Sequence, residues 1–324
     1  TIGSKFYNKA ILRKPFQYKI TPMWALKSTK LVGSGSVLYK KMPEFGNLYF
    51  YRVGFSGSYY SYDSDLFYKR FSPFASVGFR DSKDLRNNKK HIINIRNITV
   101  DRDKNPNVAL ESPNYSVFDI NYVYSNPNLI NYYRASIDYQ VSADFSKIST
   151  TLNYRKLFNN NRKIDVRLFT GIFIKNNTKL DDHYFSFALD RPTDYLFDFN
   201  YYGRSDASGL FSQQLIIAEG GFKSKLQPAF SNTWMATLNL STNIWRWIQA
   251  YGDLGWINNK NQGTEVVYDS GIRLSLVEDY FELFFPVYSN LGWEIAQPRY
   301  DQKIRFIVTL DVRTLFGLFT RKWY

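Results

Sequence analysis

Residues 163–175 read KIDVRLFTGIFIK, and their apolar side chains fall on alternate positions. Ile164 and Leu168 lie on one side of an extended chain, whereas Asp165 and Arg167 lie on the other, because successive strand residues point in opposite directions. This period of two predicts a β-strand with one apolar and one charged face. A soluble sheet and a membrane barrel share this pattern with inside and outside exchanged, so the fold depends on which face meets water.

The same alternation recurs along the whole chain, for example in 132–145 (YYRASIDYQVSADF) and 303–312 (KIRFIVTLDV). Each stretch has about 10 residues or more, whereas strands of soluble proteins usually have about 5 or 6. Membrane strands need roughly 9 to 11 residues. Turn signals rich in Asn and Gly separate the stretches, such as SNPN at 125–128 and NNKNQG at 258–263. The pattern predicts a meander of antiparallel hairpins.

The composition is aromatic, polar and basic at once. Aromatic residues make up 19% of the 324 residues, while the mean hydropathy is −0.38. The net charge of +14 suits an anionic membrane surface, and the scattered basic residues match no nucleic-acid-binding motif, so we expect no nucleic-acid partner. No apolar run approaches the roughly 20 residues of a membrane helix. A chain of this kind that spans a membrane does so by strands.

Tyrosine and tryptophan gather where the predicted strands begin or end. A buried tyrosine hydroxyl needs a hydrogen-bond partner, so a soluble core is a poor place for many of them. Membrane barrels, by contrast, carry aromatic girdles at both lipid interfaces. The predicted interface aromatics are Tyr122, Tyr124, Tyr133, Trp245, Trp247 and Trp256.

The charged strand faces hold Asp and Arg together with Ser, Gly and Asn. A barrel lumen accommodates such groups when they pair with one another or with water. The arginines of these faces indicate either a lumen that favours anions or, as the pattern favours, pairing with aspartates along the same faces. The predicted lumen-facing polar residues are Arg134, Asp138, Asp144, Asp165, Arg167, Asp269, Arg273, Arg305 and Asp311.

The fold class predicted from these patterns is all-β: a membrane-spanning, antiparallel, up-and-down β-barrel of roughly 12 to 16 strands. We expect one domain over 1–324, with an irregular long hairpin or loop at 181–220 and a short interfacial tail at the C-terminus. The chain begins without Met or a signal segment, which indicates a mature product, an excised piece or a trimmed N-terminus.

Candidate catalytic motifs are weak. The chain has no cysteine and only two histidines, His91 and His183, neither within HExxH. GSGS at 33–36 lacks the GK[ST] of a phosphate-binding loop, and the carboxylates of 278–282 fit a solvated turn better than a sugar site. The cluster around His183 fits a solvated loop cap better than a cation site. We therefore predict a chain that is not an enzyme and holds no metal or cofactor.

The C-terminal half resembles a known family in the stretches HYFSFALDRPTDYLFDFNYYGRSDASGLFSQQ (183–214), IIAEGGFKSKL (216–226) and STNIWRWIQAYGDLGW (241–256). It is similar to the outer-membrane β-barrel region that follows the aminopeptidase-N-like (gluzincin) metallopeptidase domain of large Bacteroidetes proteins. The likeness covers roughly 160–324, and the first half only by strand pattern. None of the zinc-binding residues of that family has a counterpart here, so the resemblance implies a barrel that anchors a peptidase domain lying before Thr1.

The predicted role is a membrane anchor or scaffold in the outer membrane of a Gram-negative bacterium, for a fused peptidase-like domain or for partners in an outer-membrane complex. The expected partners are outer-membrane lipid, lipopolysaccharide and other outer-membrane or periplasmic proteins. The alternatives are a channel for small polar solutes, an enzyme with its site in the lumen or loops, and a soluble β-sandwich binding module. On this view Leu168→Arg blocks membrane assembly, and Arg167→Leu is mild if the lumen is wet.

Overall fold

The computed structural model is built almost entirely from β-strands. Nineteen strands and three short 3₁₀ helices make up the regular structure of the described residues. Seventeen of the strands belong to one sheet, and the other two pair with each other. The described residues are 1–8, 14–43, 46–63, 65–82, 84, 86–104, 114–178, 183–199, 201, 209–277 and 280–308.

Thirteen strands of the described chain have nine or more residues, within the predicted range of roughly 12 to 16. The three 3₁₀ helices are Leu210–Gln213, Glu294–Ala296 and Tyr300–Lys303. The strands are β1 (Ile2–Gly3), β2 (Phe6–Tyr7), β3 (Phe16–Ala25), β4 (Lys30–Lys41), β5 (Leu48–Asp63), β6 (Leu66–Arg80), β7 (Lys90–Arg102), β8 (Tyr115–Pro127), β9 (Asn131–Val141), β10 (Phe145–Leu157), β11 (Lys163–Asn176), β12 (Phe187–Ala188), β13 (Phe230–Ser231), β14 (Trp234–Trp245), β15 (Ile248–Asn258), β16 (Thr264–Val277), β17 (Phe281–Ser289), β18 (Gly292–Trp293) and β19 (Arg305–Val308).

Long strands that follow one another in the chain pair antiparallel. This holds from β3 through β9 and again from β15 through β17. Tight connections use residues with positive φ, such as Asn161 (58°) and Asn261 (64°), and asparagine adopts this conformation more readily than most residues. The prediction of an all-β, up-and-down antiparallel architecture is confirmed.

Two strand boundaries differ from the sequence pattern. The run 132–145 predicts one strand, but β9 ends at Val141, and the Ser142 N–H donates to the carbonyl oxygen of Phe145 (2.8 Å) to close a turn. This turn has no Gly, Pro or Asn, so the sequence carries no turn signal there and the alternation continues across the turn. Of the strand predicted over 303–312, β19 covers Arg305–Val308. The predicted tail and Asp311 lie outside the described residues.

Among the described residues, no helix is long and apolar enough to cross a membrane.

The chain divides into two compact units, which are described separately. Unit 1 consists of Thr1–Tyr154, Thr170–Ser186 and Asn232–Trp234. Unit 2 consists of Arg155–Phe169, Phe187–Ser231 and Met235–Tyr324. The single domain over 1–324 stays a prediction.

In unit 1, one face of β5–β9 carries a polar row in which each residue is the register partner of the next. The row consists of Arg52, Ser76, Asn94, Asn121 and Asp138. The Ser76 hydroxyl donates to the Asn94 side-chain oxygen (2.7 Å), and amide contacts of 3.4 Å link Asn94 to Asn121 and Asn121 to Asp138. We call this face of β5–β9 the unit 1 polar face.

The opposite face of the same strands is apolar and exposed. Phe55 and Phe71 lie on neighbouring strands with ring centroids 6.1 Å apart, and both are about half exposed, at 47% and 52%. Val53 on the same face is 51% exposed. Unit 1 therefore turns large apolar side chains outward and groups its polar residues on the other side.

Candidate functional site: the buried polar face of unit 2

The strands β14–β17 of unit 2 also separate apolar from polar side chains, with the polar side buried. Asp269 is 2% exposed, whereas its neighbours on the other face of β16 include Val266 at 49% and Leu276 at 45%. We call the buried side of β14–β17 the unit 2 polar face. Its buried polar and charged residues are Thr237, Asn239, Gln249, Asp253, Asp269, Arg273, Glu282 and Ser289.

Strand β11 separates apolar from charged side chains in the same way. In the unit 2 part of β11, Ile164 and Leu168 are 37% and 42% exposed. Asp165 and Arg167, on the alternate positions, form ion pairs and hydrogen bonds with other unit 2 residues. The apolar face of this strand therefore points outward and its charged face points toward protein.

An irregular stretch, residues 209–231, lies against the unit 2 polar face, and we call it the inner segment. Its Phe222 is fully buried, and a Cβ added at Gly255 of β15 would lie 3.0 Å from the Phe222 ring carbon Cζ. Gly221 has φ of 76°, and a Cβ there would lie 2.5 Å from the Asn239 side-chain oxygen. Glycine at 221 thus serves both the left-handed backbone and the close approach to β14.

Lys223 fastens the inner segment to two carboxylates of the sheet. Asp253 and Asp269 are direct register partners on β15 and β16. The Lys223 ammonium lies 2.7 and 2.9 Å from the two carboxylate oxygens of Asp253. The backbone N–H groups of Lys223 and Ser224 both donate to one oxygen of Asp269, at 2.7 Å each. One lysine and two amides therefore offset the repulsion of two adjacent buried carboxylates.

Arg167 fastens the inner segment at a second point. Its guanidinium donates to the Asn239 side-chain oxygen (2.9 Å) and to the carbonyl oxygen of Glu219 (2.8 Å), with a longer contact to that of Ala218 (3.4 Å). The Asn239 amide in turn donates to the carbonyl oxygen of Gly220 (3.1 Å). Arg167 and Asn239 thus bind the backbone just before Lys223.

The sequence predicts that Arg167→Leu is mild if the Arg167 side chain is surrounded by water. In the structure this side chain contacts protein groups, so we expect the substitution to be destabilising. Leucine would leave the carbonyl oxygens of Ala218 and Glu219 without this donor, at a cost of about 1–3 kcal/mol. We expect a lower midpoint of urea unfolding and faster proteolysis within 209–231. Arg246→Leu, in the exposed β14–β15 turn, is the matched control and should leave both unchanged. Equal stability of Arg167→Leu and wild type would contradict the assignment.

A third cluster surrounds Arg273 of β16. Its guanidinium forms an ion pair with Glu282 of β17 and lies 3.7 Å from Asp165, which also pairs with Arg155. Glu282 is 1% exposed, so its interpretation as part of a solvated turn is wrong. The other two carboxylates of that group, 278 and 279, lie outside the described residues.

A fourth buried charged cluster contains Arg305, at the start of β19. It lies 3.4 Å from Asp190, which precedes the inner segment and is itself buried. Burial raises the pKa of Asp190 above its usual range, and Arg305 opposes that rise. The backbone N–H of Leu215 donates to the carbonyl oxygen of Phe306 (2.7 Å), so the inner segment also meets β19.

The predicted pairing of Arg273 with Asp269 of the same strand is wrong, because Arg273 pairs with Glu282 and Asp165. Arg305 pairs with Asp190, whereas Asp311, its predicted partner, lies outside the described residues. Glu282 lies diagonally across from Arg273, because the direct register partner of Glu282 is Ser275. Asp165 lies on β11 and Asp190 lies outside the strands. Alternation therefore shows which face a residue occupies but not which element supplies its partner.

The remaining predicted lumen residues lie in unit 1. Asp138 ends the polar row and accepts a hydrogen bond from Gln140 (2.7 Å). Arg134 is exposed on the same strand. Asp144 is exposed and lies in the turn between β9 and β10, not on a strand face. The alternation pattern did not indicate six further charged residues of the two polar faces and their contacts: Arg96, Asp119, Arg155, Asp190, Lys223 and Asp253.

The predicted interface aromatics lie at or near strand ends, except Tyr122, which is the eighth of the 13 residues of β8. Tyr124 and Tyr133 face each other beside the β8–β9 turn, with centroids 5.9 Å apart, and the Tyr122 hydroxyl lies 2.7 Å from Nδ1 of His91. Three tryptophans flank the ends of β15 and are exposed. They are Trp245 at 58%, Trp247 at 42% and Trp256 at 41%.

In the part of the chain that the structure covers, no three His, Cys, Asp or Glu residues are grouped so that they could hold a metal ion.

Comparisons with known proteins find similarity at the level of structure. No family model matches the chain, and no curated protein matches it. The chain is similar to a solved structure described as the crystal structure of BamA from Haemophilus ducreyi lacking POTRA domains 1–3, with a TM-score of 0.49 and 10% identity. The likeness covers 89% of this chain, which spans 65% of that chain. The resemblance to the aminopeptidase-N-like family gains no support from these comparisons.

Proposed function

We propose that the chain is an outer-membrane β-barrel of a Gram-negative bacterium that acts as a membrane anchor or scaffold. The observation that carries the proposal is the inverted distribution of side chains in unit 2. Val266 and Leu276 are exposed on one side of β16, while Asp269 and Arg273 are buried on the other. A soluble sheet would bury the first pair and hydrate the second.

The exposed apolar side has a thermodynamic cost in water. Each square ångström of apolar surface left exposed forgoes about 25 cal/mol, so rows of Ile, Leu, Val and Trp at 40–60% exposure require an apolar surrounding. Lipid supplies it without a second protein layer. The long strands, of nine to 16 residues, match the roughly 9–11 residues needed to cross a bilayer. The same observation counts against a soluble β-sandwich module.

The exposed tryptophans at the ends of β15 fit the two lipid interfaces, where an amphipathic ring meets both headgroup and hydrocarbon. Outer-membrane lipid and lipopolysaccharide are therefore the proposed surroundings of the apolar side. The basic composition, with a net charge of +14, suits the phosphates of both.

The anchor role is favoured by the covered polar face of unit 2. The inner segment fills it, and Lys223, Arg167 and Arg305 are engaged with protein partners. A polar face of this kind is better suited to stabilising the sheet and its strand register than to letting solutes pass. The partners that an anchor would position are a fused peptidase-like domain or other proteins of an outer-membrane complex.

A channel for small polar solutes is the second candidate, and it is favoured by the unit 1 polar face. Ser34, Ser36, Ser56 and Ser58 on β4 and β5 are only half buried, and the row from Arg52 to Asp138 continues their polar surface. Hydroxyl and amide groups of this kind suit a hydrated lining.

Single-channel recording of the purified chain in planar bilayers separates the two roles. The anchor role predicts no steady conductance, because the inner segment occupies the unit 2 polar face. Lys223→Met, which loosens that segment, should give brief, irregular openings, and Lys225→Met, whose lysine is exposed, should stay silent. Steady ohmic currents of uniform size from the wild type would overturn the anchor role in favour of the channel.

A further inference from the structure

Three cations share one row at the end of the unit 1 polar face. Arg80 is the register partner of Lys90, Lys90 of Ser125, and Ser125 of Arg134. The four residues thus lie side by side across β6, β7, β8 and β9 on the same face. Arg80 and Lys90 are half-buried and Arg134 is exposed, so solutes can reach the row.

No carboxylate of the described chain balances this row. Arg80, Lys90 and Arg134 take part in none of the ion pairs found among the described residues, and Asp81 pairs with His91 on the opposite face. On the same face, Arg96 and Asp119 are register partners of opposite charge with a 2.6 Å contact.

Two further cations lie on the same face, in the row of Ser76, which is four residues from Arg80 along β6. Lys40 and Arg52 lie against the Phe50 ring, at 5.4 and 5.9 Å from its centroid. Phe50 crosses over Gly78, so closely that a Cβ there would clash with the ring. The ring therefore lies between these two cations and the row from Arg80 to Arg134.

Like charges placed directly opposite each other destabilise a sheet. Arg80 and Lys90 are in that position, and the register fixes them there. An oxyanion between them would remove the repulsion, and guanidinium groups bind phosphate oxygens through paired hydrogen bonds. The row consequently has the charge and the donors of a phosphate site.

We infer that the row of Arg80, Lys90 and Arg134 binds a phosphate group carried by a solute in water. The position of the row on the polar face indicates where the phosphate group comes from. Lipid headgroups would meet the rim of the opposite face, where Phe79 is 38% exposed. The row lies on the other face, which carries Ser76, Asn94 and Asn121 four residues further along the strands. The inference goes beyond the anchor role and does not depend on it.

Thermal unfolding of the whole chain in zwitterionic phosphatidylcholine nanodiscs tests the site, with inorganic phosphate as the probe and chloride at equal ionic strength as the reference. Phosphate should raise the midpoint of the wild type, since a ligand bound only by the folded state stabilises it. Lys90→Gln should weaken phosphate binding about tenfold. In chloride alone the same variant should unfold no earlier than the wild type, because it loses a repulsion.

Lys69→Gln is the matched control, since Lys69 lies on the same strand pair but on the other face, opposite Asp101. It should bind phosphate as the wild type does. Three results would overturn the site: unchanged binding by Lys90→Gln, equal weakening by Lys69→Gln, or loss of the phosphate response in phosphatidylglycerol nanodiscs. The last would assign the row to lipid headgroups.

Discussion

Leu168→Arg is expected to abolish assembly of the chain into bilayers. Leu168 is the sixth of the 14 residues of β11 and is 42% exposed on its apolar face, near the middle of the strand. An arginine facing lipid near the bilayer midplane costs about 2–4 kcal/mol. At about 1.4 kcal/mol per factor of ten, that lowers the equilibrium constant for folding into the bilayer roughly 30- to 700-fold.

Heat-modifiable electrophoretic mobility after folding into phosphatidylcholine vesicles measures the folded fraction of this variant. Leu129→Arg supplies the control: Leu129 is 85% exposed but lies in the turn between β8 and β9, beyond the strands. It should assemble as the wild type does. In a soluble protein, both substitutions would fall within about 0.5 kcal/mol of neutral. Normal assembly of Leu168→Arg would therefore place the apolar face of β11 in water.

Strand positions could be predicted from the sequence because they depend on a local period of two. KIDVRLFTGIFIK assigns Leu168 and Arg167 to opposite faces without knowledge of any neighbour, and the exposed fractions of both agree with that assignment. Strand ends were less certain where the turn lacked a specific residue, as between Val141 and Phe145.

The candidate site could not be predicted in the same way, because its contacts join distant positions. Lys223 and Asp253 are 30 residues apart, and Lys223 belongs to a segment without alternation. Asp253 lies in AYGDLGW, where small residues interrupt the apolar pattern. Only the register of β15 with β16 brings Asp253 beside Asp269 and creates the need for a cation.

Lys223→Met should cause the largest loss of stability among the substitutions within the unit 2 polar face. Methionine has a similar length but no charge, so Asp253 and Asp269 would remain buried side by side without the ammonium. Breaking a buried ion pair by removing one partner costs about 3–5 kcal/mol. We expect the inner segment to detach, because its two N–H contacts to Asp269 then compete with repulsion between the carboxylates.

Two measurements test the effect of Lys223→Met: the urea midpoint of unfolding in micelles, and the rate of protease cleavage within 209–231. Lys225→Met is the matched control, two residues along the same segment, where the lysine is exposed. The double variant Lys223→Met with Asp253→Asn should recover part of the lost stability, since it removes the unbalanced charge as well. If Lys223→Met alone unfolds at the wild-type midpoint, the ammonium does not hold the segment. If Lys223→Met is destabilised and the double variant is no more stable, the loss comes from packing around Tyr251 and not from charge. The Lys223 ammonium lies 5.2 Å from that ring.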